Sequence, residues 1–79
     1  MNPARVAILG SGNIGTDLLI KCQRSAWLTC TLFVGRHQQS VGLARARALG
    51  VTTSARSIQA IADDPDCCDL IFDATSAQA

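Results

Sequence analysis

The sequence predicts an α/β fold built on a parallel sheet, and two observations lead to that prediction. Short apolar or β-branched runs alternate with segments in which apolar residues recur every three or four positions. The resulting order of elements is β-α-β-α-β-α-β. Alternation of this kind is typical of parallel strands joined by right-handed helical crossovers. The predicted architecture is therefore a doubly wound parallel sheet, of which this chain would form an incomplete version.

The first strand and the first helix are predicted from a change in apolar period. Residues 5–9 form a largely apolar run ended by Gly10, as expected for a strand buried on both faces. Over residues 14–26 the apolar side chains recur every four positions, which predicts a helix. The predicted apolar stripe of this helix consists of Ile14, Leu18, Leu19, Cys22 and Ala26. Asp17 and Lys21 have the spacing of a helix-surface ion pair.

The middle of the chain is predicted to form a strand, a helix and a second, short strand. Residues 29–34 are rich in β-branched side chains and are followed by a glycine. Ser40 is the predicted N-cap of a helix that continues through Leu49. Gly50 stands where a helix C-terminus favours a left-handed residue. Residues 51–53 are then predicted as a strand.

A third helix and a fourth strand complete the predicted order. Ser54 or Ser57 can begin the helix, which is expected to end before Pro65, because proline disfavours a helical residue in front of it. The predicted buried face of this helix is formed by Ile58, Ile61 and Ala62. Residues 69–73 place three apolar residues between two aspartates and are predicted as the fourth strand.

Composition and charge narrow the classes of function. The 79 residues are 48% apolar with a formal net charge of +1, which fits a single soluble domain and argues against a nucleic-acid partner. No apolar run approaches a membrane span and no signal peptide is recognisable, so we expect a cytoplasmic location without a membrane partner. Cysteine spacing suits neither a zinc site nor a C-x-x-C motif, so reduced, buried thiols are expected. The four cysteines are Cys22, Cys30, Cys67 and Cys68.

A glycine-rich motif follows the first predicted strand directly. Residues 10–15 read GSGNIG and match G-x-G-x-x-G between a strand and a helix, the context of a Rossmann dinucleotide-binding turn. Gly10 would allow the tight turn, Gly12 the close approach of a pyrophosphate, and Gly15 the packing of the helix on the strand. N–H groups of residues 12–14 would bind phosphate oxygens at the positive end of the helix dipole. The alternative is a glycine-rich turn that binds nothing. A P-loop is excluded because the motif has no lysine.

The residues after the second strand indicate which dinucleotide would bind. NAD sites usually place an acidic residue there, which accepts a hydrogen bond from the ribose 2′-hydroxyl. Here the strand is followed by Gly35, Arg36 and His37, with no acid. Arg36 could instead pair with the 2′-phosphate of NADP. The alternative is that Arg36 and His37 are solvated loop residues.

The end of the fourth strand supplies the last candidates. Ligands of parallel sheets bind at the carboxyl ends of the strands, so Thr75 and Ser76 could reach the phosphates or ribose of a cofactor. Asp73 is equally compatible with a strand-end or helix-capping role. No catalytic and no metal-binding residue is predicted. The predicted cofactor-binding residues are Gly10, Ser11, Gly12, Asn13, Ile14, Gly15, Arg36, Thr75 and Ser76.

Several segments resemble the start of the acylating acetaldehyde dehydrogenases, enzymes of the meta-cleavage catabolism of aromatic compounds. The resemblance is carried by residues 6–18, 42–46, 49–51 and 72–77, and it covers nearly the whole chain in register. It implies a reaction in which acetaldehyde, coenzyme A and NAD give acetyl-CoA and NADH, through a cysteine thioester. It also implies 4-hydroxy-2-oxovalerate aldolase as the partner of the full-length enzyme.

Two departures from that family pattern bear on function. Many members carry Ile-Asp-Pro where this chain has residues 36–38, which puts a preference for NAD over NADP in doubt. The nucleophilic cysteine of the family lies downstream in a Cys-Gly-Gly context that none of the four cysteines shares. Residues 1–79 are therefore expected to be the N-terminal part of a dinucleotide-binding domain, without the catalytic domain. The alternatives are a stand-alone nucleotide-binding module and a semialdehyde dehydrogenase fragment.

Overall fold

A computed structural model describes residues 2–75 and shows four parallel strands with helices on both faces. The elements are β1 (Ala4–Leu9), α1 (Asn13–Arg24), β2 (Leu28–Val34), α2 (Val41–Ala48), β3 (Thr53–Ser54), α3 (Ile58–Asp63), a 3-10 turn (Pro65–Cys67) and β4 (Leu70–Asp73). The strand order β3-β2-β1-β4 is that of half of a doubly wound sheet. The predicted fold class and its order of elements are confirmed.

The core lies on both faces of β1, as the continuous apolar run predicted. Val6 and Ile8 pack on one face with Leu19 of α1 and Leu43 of α2. On the opposite face, Ala7 packs with residues of β2 and with Ile61 of α3, which forms a second and smaller cluster. Side chains alternate across a strand, so a strand covered by helices on both sides must be apolar at every central position.

The apolar stripe of α1 is rotated from the predicted one. The side that faces the sheet carries Gly15, Leu19 and Cys22, whereas Ile14 is 51% exposed. The prediction for Ile14 was wrong because the helix approaches the sheet through the glycine, and 100° per residue turns position 14 outward. The prediction that Ala26 belongs to the buried stripe was also wrong, because the helix ends at Arg24 and Ser25 takes an extended conformation.

The C-terminus of α2 explains why the third strand begins later than predicted. Gly50 has φ +81° and its N–H donates to the Arg47 carbonyl, while Val51 N–H donates to the Ala46 carbonyl at 3.0 Å. These two bonds form a Schellman motif, which confirms the role predicted for Gly50. The motif occupies the backbone of Val51 and buries its side chain in the core, so β3 is Thr53–Ser54 instead of 51–53.

The third helix is short and only partly covered. It begins after Ser57, one of the two predicted starts, and ends at Asp63 before Pro65 as expected. Only Ile61 of its predicted face is buried, because Ile58 is half-exposed and Ala62 is exposed. None of the helices within residues 2–75 is long and apolar enough to cross a membrane.

Charged groups on the surface hold two of the elements in place. The predicted pair of Asp17 and Lys21 is present, with Oδ2 and Nζ 3.1 Å apart. At the amino end of the sheet, the Arg5 guanidinium donates to the Asp69 carboxylate, with Nη2 3.0 Å from Oδ1, and Arg5 N–H donates to Oδ2 of the same carboxylate. The bonds from Arg5 hold the pKa of Asp69 below its ordinary value. This contact fastens the start of β4 to β1.

Candidate functional site

The candidate site is a cleft of about 430 Å³ at the carboxyl ends of the strands. Its walls are the turn between β1 and α1, the loop after β2, and the residues that follow β4. Its lining residues are Leu9, Gly10, Ser11, Gly12, Val34, Gly35, Arg36, His37, Ser40, Ser57, Ala74 and Thr75. Three separate predictions, for the glycine turn, Arg36 and Thr75, therefore meet in one cleft.

Two glycines of the motif have the structural roles predicted for them. Gly10 leaves β1 with φ +117°, a conformation that L side chains rarely adopt. Gly15 faces the sheet, and a Cβ there would lie 2.8 Å from the Gly10 carbonyl carbon, with the carbonyl oxygen nearer still. The start of α1 can approach β1 this closely only because residue 15 has no side chain.

Ser11 lies between two further glycines that the sequence analysis did not assign to the site. A Cβ on Gly35, at the end of β2, would lie 2.6 Å from Ser11 Oγ. A Cβ on Gly42, in the first turn of α2, would lie 3.0 Å from the Ser11 carbonyl carbon and 3.2 Å from its Cβ. The glycine turn is thus packed against both β2 and α2. The sequence signal was a glycine in the first turn of a predicted helix, which costs helix propensity and therefore indicates a close contact.

Ser40 connects α2 to the same turn. Its side-chain oxygen accepts a hydrogen bond from Leu43 N–H at 3.2 Å, which confirms the predicted N-cap. Its hydroxyl donates to Ser11 Oγ at 3.0 Å. Ser11 also lines the cleft, so its hydroxyl can make a further hydrogen bond there. Local sequence patterns cannot predict the bond between Ser40 and Ser11, because it joins residues 29 positions apart.

The start of α1 presents backbone donors at the edge of the cleft. The first intrahelical bond runs from Thr16 N–H to the Gly12 carbonyl at 2.9 Å, so the N–H groups of residues 12–15 have no partner within the helix. Residues 12–14 are exposed, and no acidic side chain stands in the first turn. These donors and the positive end of the helix dipole make the turn suited to an anion.

Arg36 and His37 line the cleft on the wall formed by the loop after β2. Both side chains are exposed. Within residues 2–75 no carboxylate lines this cleft. The wall that would contact the ribose of a dinucleotide is therefore basic, in place of the acidic residue that NAD sites usually carry.

Thr75 is in the cleft, but its donors are already engaged. Its N–H donates to Asp73 Oδ1 at 2.9 Å, and its hydroxyl donates to the same oxygen. Both bonds lower the pKa of the Asp73 carboxyl, and the bond from the Thr75 hydroxyl has the larger effect. Thr75 can therefore offer a lone pair to a ribose hydroxyl more readily than a proton to a phosphate. Ser76 lies outside the described residues.

The four cysteines lie away from the cleft and none is in a disulfide. Cys22 is buried near the C-terminus of α1, which points toward the amino edge of the sheet, and Cys30 is in the first half of β2. Burial raises the pKa of Cys22 and raises that of Cys30 to about 11. Cys67 and Cys68 are half-buried just before β4, again at the amino edge. No cluster of metal-ligating side chains is found over residues 2–75.

The parallel sheet, its strand order and the glycine turn define the chain as part of a Rossmann-like α/β domain. No family profile matches the sequence. Comparison with individual proteins is more informative, because 141 proteins match and those compared in detail here are named acetaldehyde dehydrogenase. Over nearly its whole length the chain is similar to proteins named acetaldehyde dehydrogenase, and it matches the first quarter of these relatives.

Three relatives illustrate the match. Over 75 residues the chain is 67% identical to an acetaldehyde dehydrogenase of Pectobacterium atrosepticum, which is 95% of this chain and 25% of that protein. Identity is 55% over 76 residues to acetaldehyde dehydrogenase 2 of Salinispora arenicola, covering 96% of the chain and 26% of the relative. It is 47% over 79 residues to the enzyme of Geobacillus stearothermophilus, covering 100% of the chain and 27% of the relative. The chain thus spans about a quarter of the length of these relatives.

Proposed function

We propose that residues 1–79 form the N-terminal part of the dinucleotide-binding domain of an acylating acetaldehyde dehydrogenase, and that they bind the pyrophosphate of NAD or NADP. The observation that supports this most is the turn at residues 10–15. Gly12 of this turn lines the cleft, its N–H has no partner within α1, and the turn is packed against β1, β2 and α2. The names of the relatives supply the reaction class.

The residues of the cleft fit the parts of a dinucleotide. The N–H groups of Gly12, Asn13 and Ile14 would bind pyrophosphate oxygens, with the Ser11 hydroxyl as a further donor. Gly12 has an exposed backbone, so a phosphate can approach it closely. Arg36 would lie beside the adenosine ribose, and Thr75 with Ser76 beside the ribose or phosphates on the other side of the turn. The bound nicotinamide would accept hydride from the substrate.

The acyl-transfer chemistry is assigned to residues outside this chain. An acylating enzyme of this class would bind acetaldehyde at a cysteine thiolate, pass a hydride from the aldehyde to NAD to leave a thioester, and transfer the acetyl group to coenzyme A. A nucleophilic thiolate needs a lowered pKa and access to the cofactor. Cys22 and Cys30 have raised pKa values, and Cys67 and Cys68 lie at the opposite edge of the sheet from the glycine turn. We therefore propose that none of the four is the nucleophile.

The cellular setting of the full-length enzyme is proposed from the family resemblance. It would act in the cytoplasm, in the catabolism of aromatic compounds, and would receive its aldehyde from 4-hydroxy-2-oxovalerate aldolase. Coenzyme A would be its second substrate. No residue in the described cleft is assigned to coenzyme A or to the aldolase.

Calorimetric titration of the chain with NAD and with NADP, compared with the Gly12→Val variant, tests the proposal. Gly12 has φ −77° and ψ −160°, an extended conformation open to any residue, so valine should block the phosphate without straining the backbone. Gln23→Val is a matched control, because residue 23 is exposed near the far end of α1. We expect saturable binding by the parent chain and by the control, and none by Gly12→Val. A folded parent chain that releases no heat with either dinucleotide would contradict the proposal.

A further inference from the structure

Charge is distributed unevenly along the chain, and the part that builds one wall of the cleft is entirely basic. All six acidic residues lie at position 17 or within 63–73, whereas residues 18–62 contain six Lys and Arg residues and no acid. This basic segment includes β2, α2 and β3. Because this segment contains no carboxylate, an anionic group bound against it would meet no repulsion from a like charge there.

Three of the six basic side chains in that segment are engaged elsewhere. Lys21 pairs with Asp17, and Arg56 pairs with Asp63. Arg47 donates from Nη2 to the Gln38 carbonyl at 3.4 Å, which leaves its charge behind the loop. Arg36 makes no ion pair with any residue in the range 2–75, and it lines the cleft.

The position of Arg36 relates it to one part of a dinucleotide. The preceding residue, Gly35, is buried and its N–H continues the strand pairing by donating to the Ser54 carbonyl at 2.9 Å. Arg36 thus leaves the sheet directly at the carboxyl end of β2, where the ribose 2′-position of the adenosine half is contacted in dinucleotide folds. Ser40 and the N-terminus of α2 stand on the same wall, with the dipole of that helix directed at the same region.

We propose that this cleft selects the 2′-phosphorylated dinucleotide, NADP, over NAD, and that Arg36 is the residue that determines the selection. The inference rests on the proposed function and specifies its ligand. A 2′-hydroxyl can accept a bond from a guanidinium, but it carries no charge and its own proton finds no acceptor there. A 2′-phosphate carries about −1.5 to −2 charges near neutral pH and accepts two parallel bonds from a guanidinium. His37 is on the same wall and adds a donor beside it.

The test compares pairs of ligands that differ only in the 2′-phosphate. The parent chain, Arg36→Gln and the matched control Arg24→Gln are each titrated with NADP and NAD, and with 2′,5′-ADP and 5′-AMP. Arg24 is exposed at the C-terminus of α1, away from the cleft. We expect the parent and the control to bind each 2′-phosphorylated ligand at least about tenfold more tightly than its partner. Arg36→Gln should lose about 10- to 100-fold of affinity for NADP, the size of a charged hydrogen bond, and change little toward NAD.

The outcomes separate this inference from the proposed function on which it rests. Equal affinities for NAD and NADP, or tighter binding of NAD, would overturn the inference and leave dinucleotide binding intact. So would a loss in Arg36→Gln that is the same for both dinucleotides, since that would reflect the shared pyrophosphate. Failure of the folded parent chain to bind any of the four ligands would refute the proposed function, and the inference with it.

Discussion

A single methyl group added at Gly42 tests how the candidate site is built. Gly42 lies in the first turn of α2, and the backbone of Ser11 in the glycine turn passes directly over it. Gly42 lies outside the glycine motif of residues 10–15, so the motif does not predict this contact. Because Ser11 occupies the space that a side chain at residue 42 would need, Gly42→Ala must push α2 and the glycine turn apart, and it should lower both stability and dinucleotide affinity.

The magnitude follows from the distances. The alanine Cβ would lie 3.0 Å from the Ser11 carbonyl carbon and 3.2 Å from its Cβ, with the carbonyl oxygen nearer still. Relaxed carbon contacts are about 3.5–4.0 Å, and the oxygen contact is the tightest of the three, so one of the two segments must move by roughly 1 Å or more. Overpacking of this kind costs about 1–3 kcal/mol. The better helix propensity of alanine offsets up to about 1 kcal/mol of that. The net loss should be about 1–2 kcal/mol, or about 5–15 °C in Tm.

Thermal and urea unfolding followed by circular dichroism would measure the loss, with NAD titration as the second readout. Ala44→Gly is the control, because residue 44 is exposed in the same helix. It should lower stability by about 1 kcal/mol through propensity alone and leave ligand affinity unchanged. A Gly42→Ala variant as stable as the parent chain would refute the packing of α2 on the glycine turn.

Two further predictions concern ionisable groups away from the cleft. Arg5 holds the pKa of Asp69 below its ordinary value of 3.8, so this contribution to stability is complete above about pH 4 and is lost as pH falls through the lowered pKa. Asp69→Asn should therefore lose less stability than the parent between pH 4 and pH 2 in urea unfolding; equal losses would contradict the assignment. For Cys30, whose pKa is raised to about 11 from 9.0, the thiolate fraction at pH 8 falls about 100-fold. Alkylation by iodoacetamide, read by mass spectrometry, should accelerate at least that much when urea unfolds the chain, and equal rates would show that Cys30 is not protected.

The local sequence was most informative where a single residue type has a single physical use. Gly50 ends α2 in a left-handed conformation, and Ser40 caps its start, as both residues indicated. Gly10 turns the chain out of β1 with positive φ. Predictions of which side of a helix faces the sheet were less accurate. Ile14 has the right spacing for a buried stripe, but its exposure is set by the angle at which α1 meets the sheet, and no periodicity within the helix specifies that angle.

The assembly of the site was predictable only in part. In a parallel sheet, the residues that follow each strand must emerge at the same edge. This arrangement brings together the glycine turn, Arg36 and Thr75. The contacts that fix the turn do not follow from any local pattern. Ser11 packs on Gly35 and Gly42 and bonds with Ser40, and each of these partners lies more than twenty residues away in sequence.

The sequence by itself determined the α/β class, the order of elements and the chemical character of the cleft, because apolar period, glycine position and charge are local properties of the chain. Tertiary structure alone decided which side of α1 is buried, where β3 begins and which glycines pack against the turn at residues 10–15. Those features depend on how closely separate backbones approach one another, and a contact distance between distant segments exists only once they have packed. The same packing places Arg36 in a cleft that no carboxylate lines within residues 2–75.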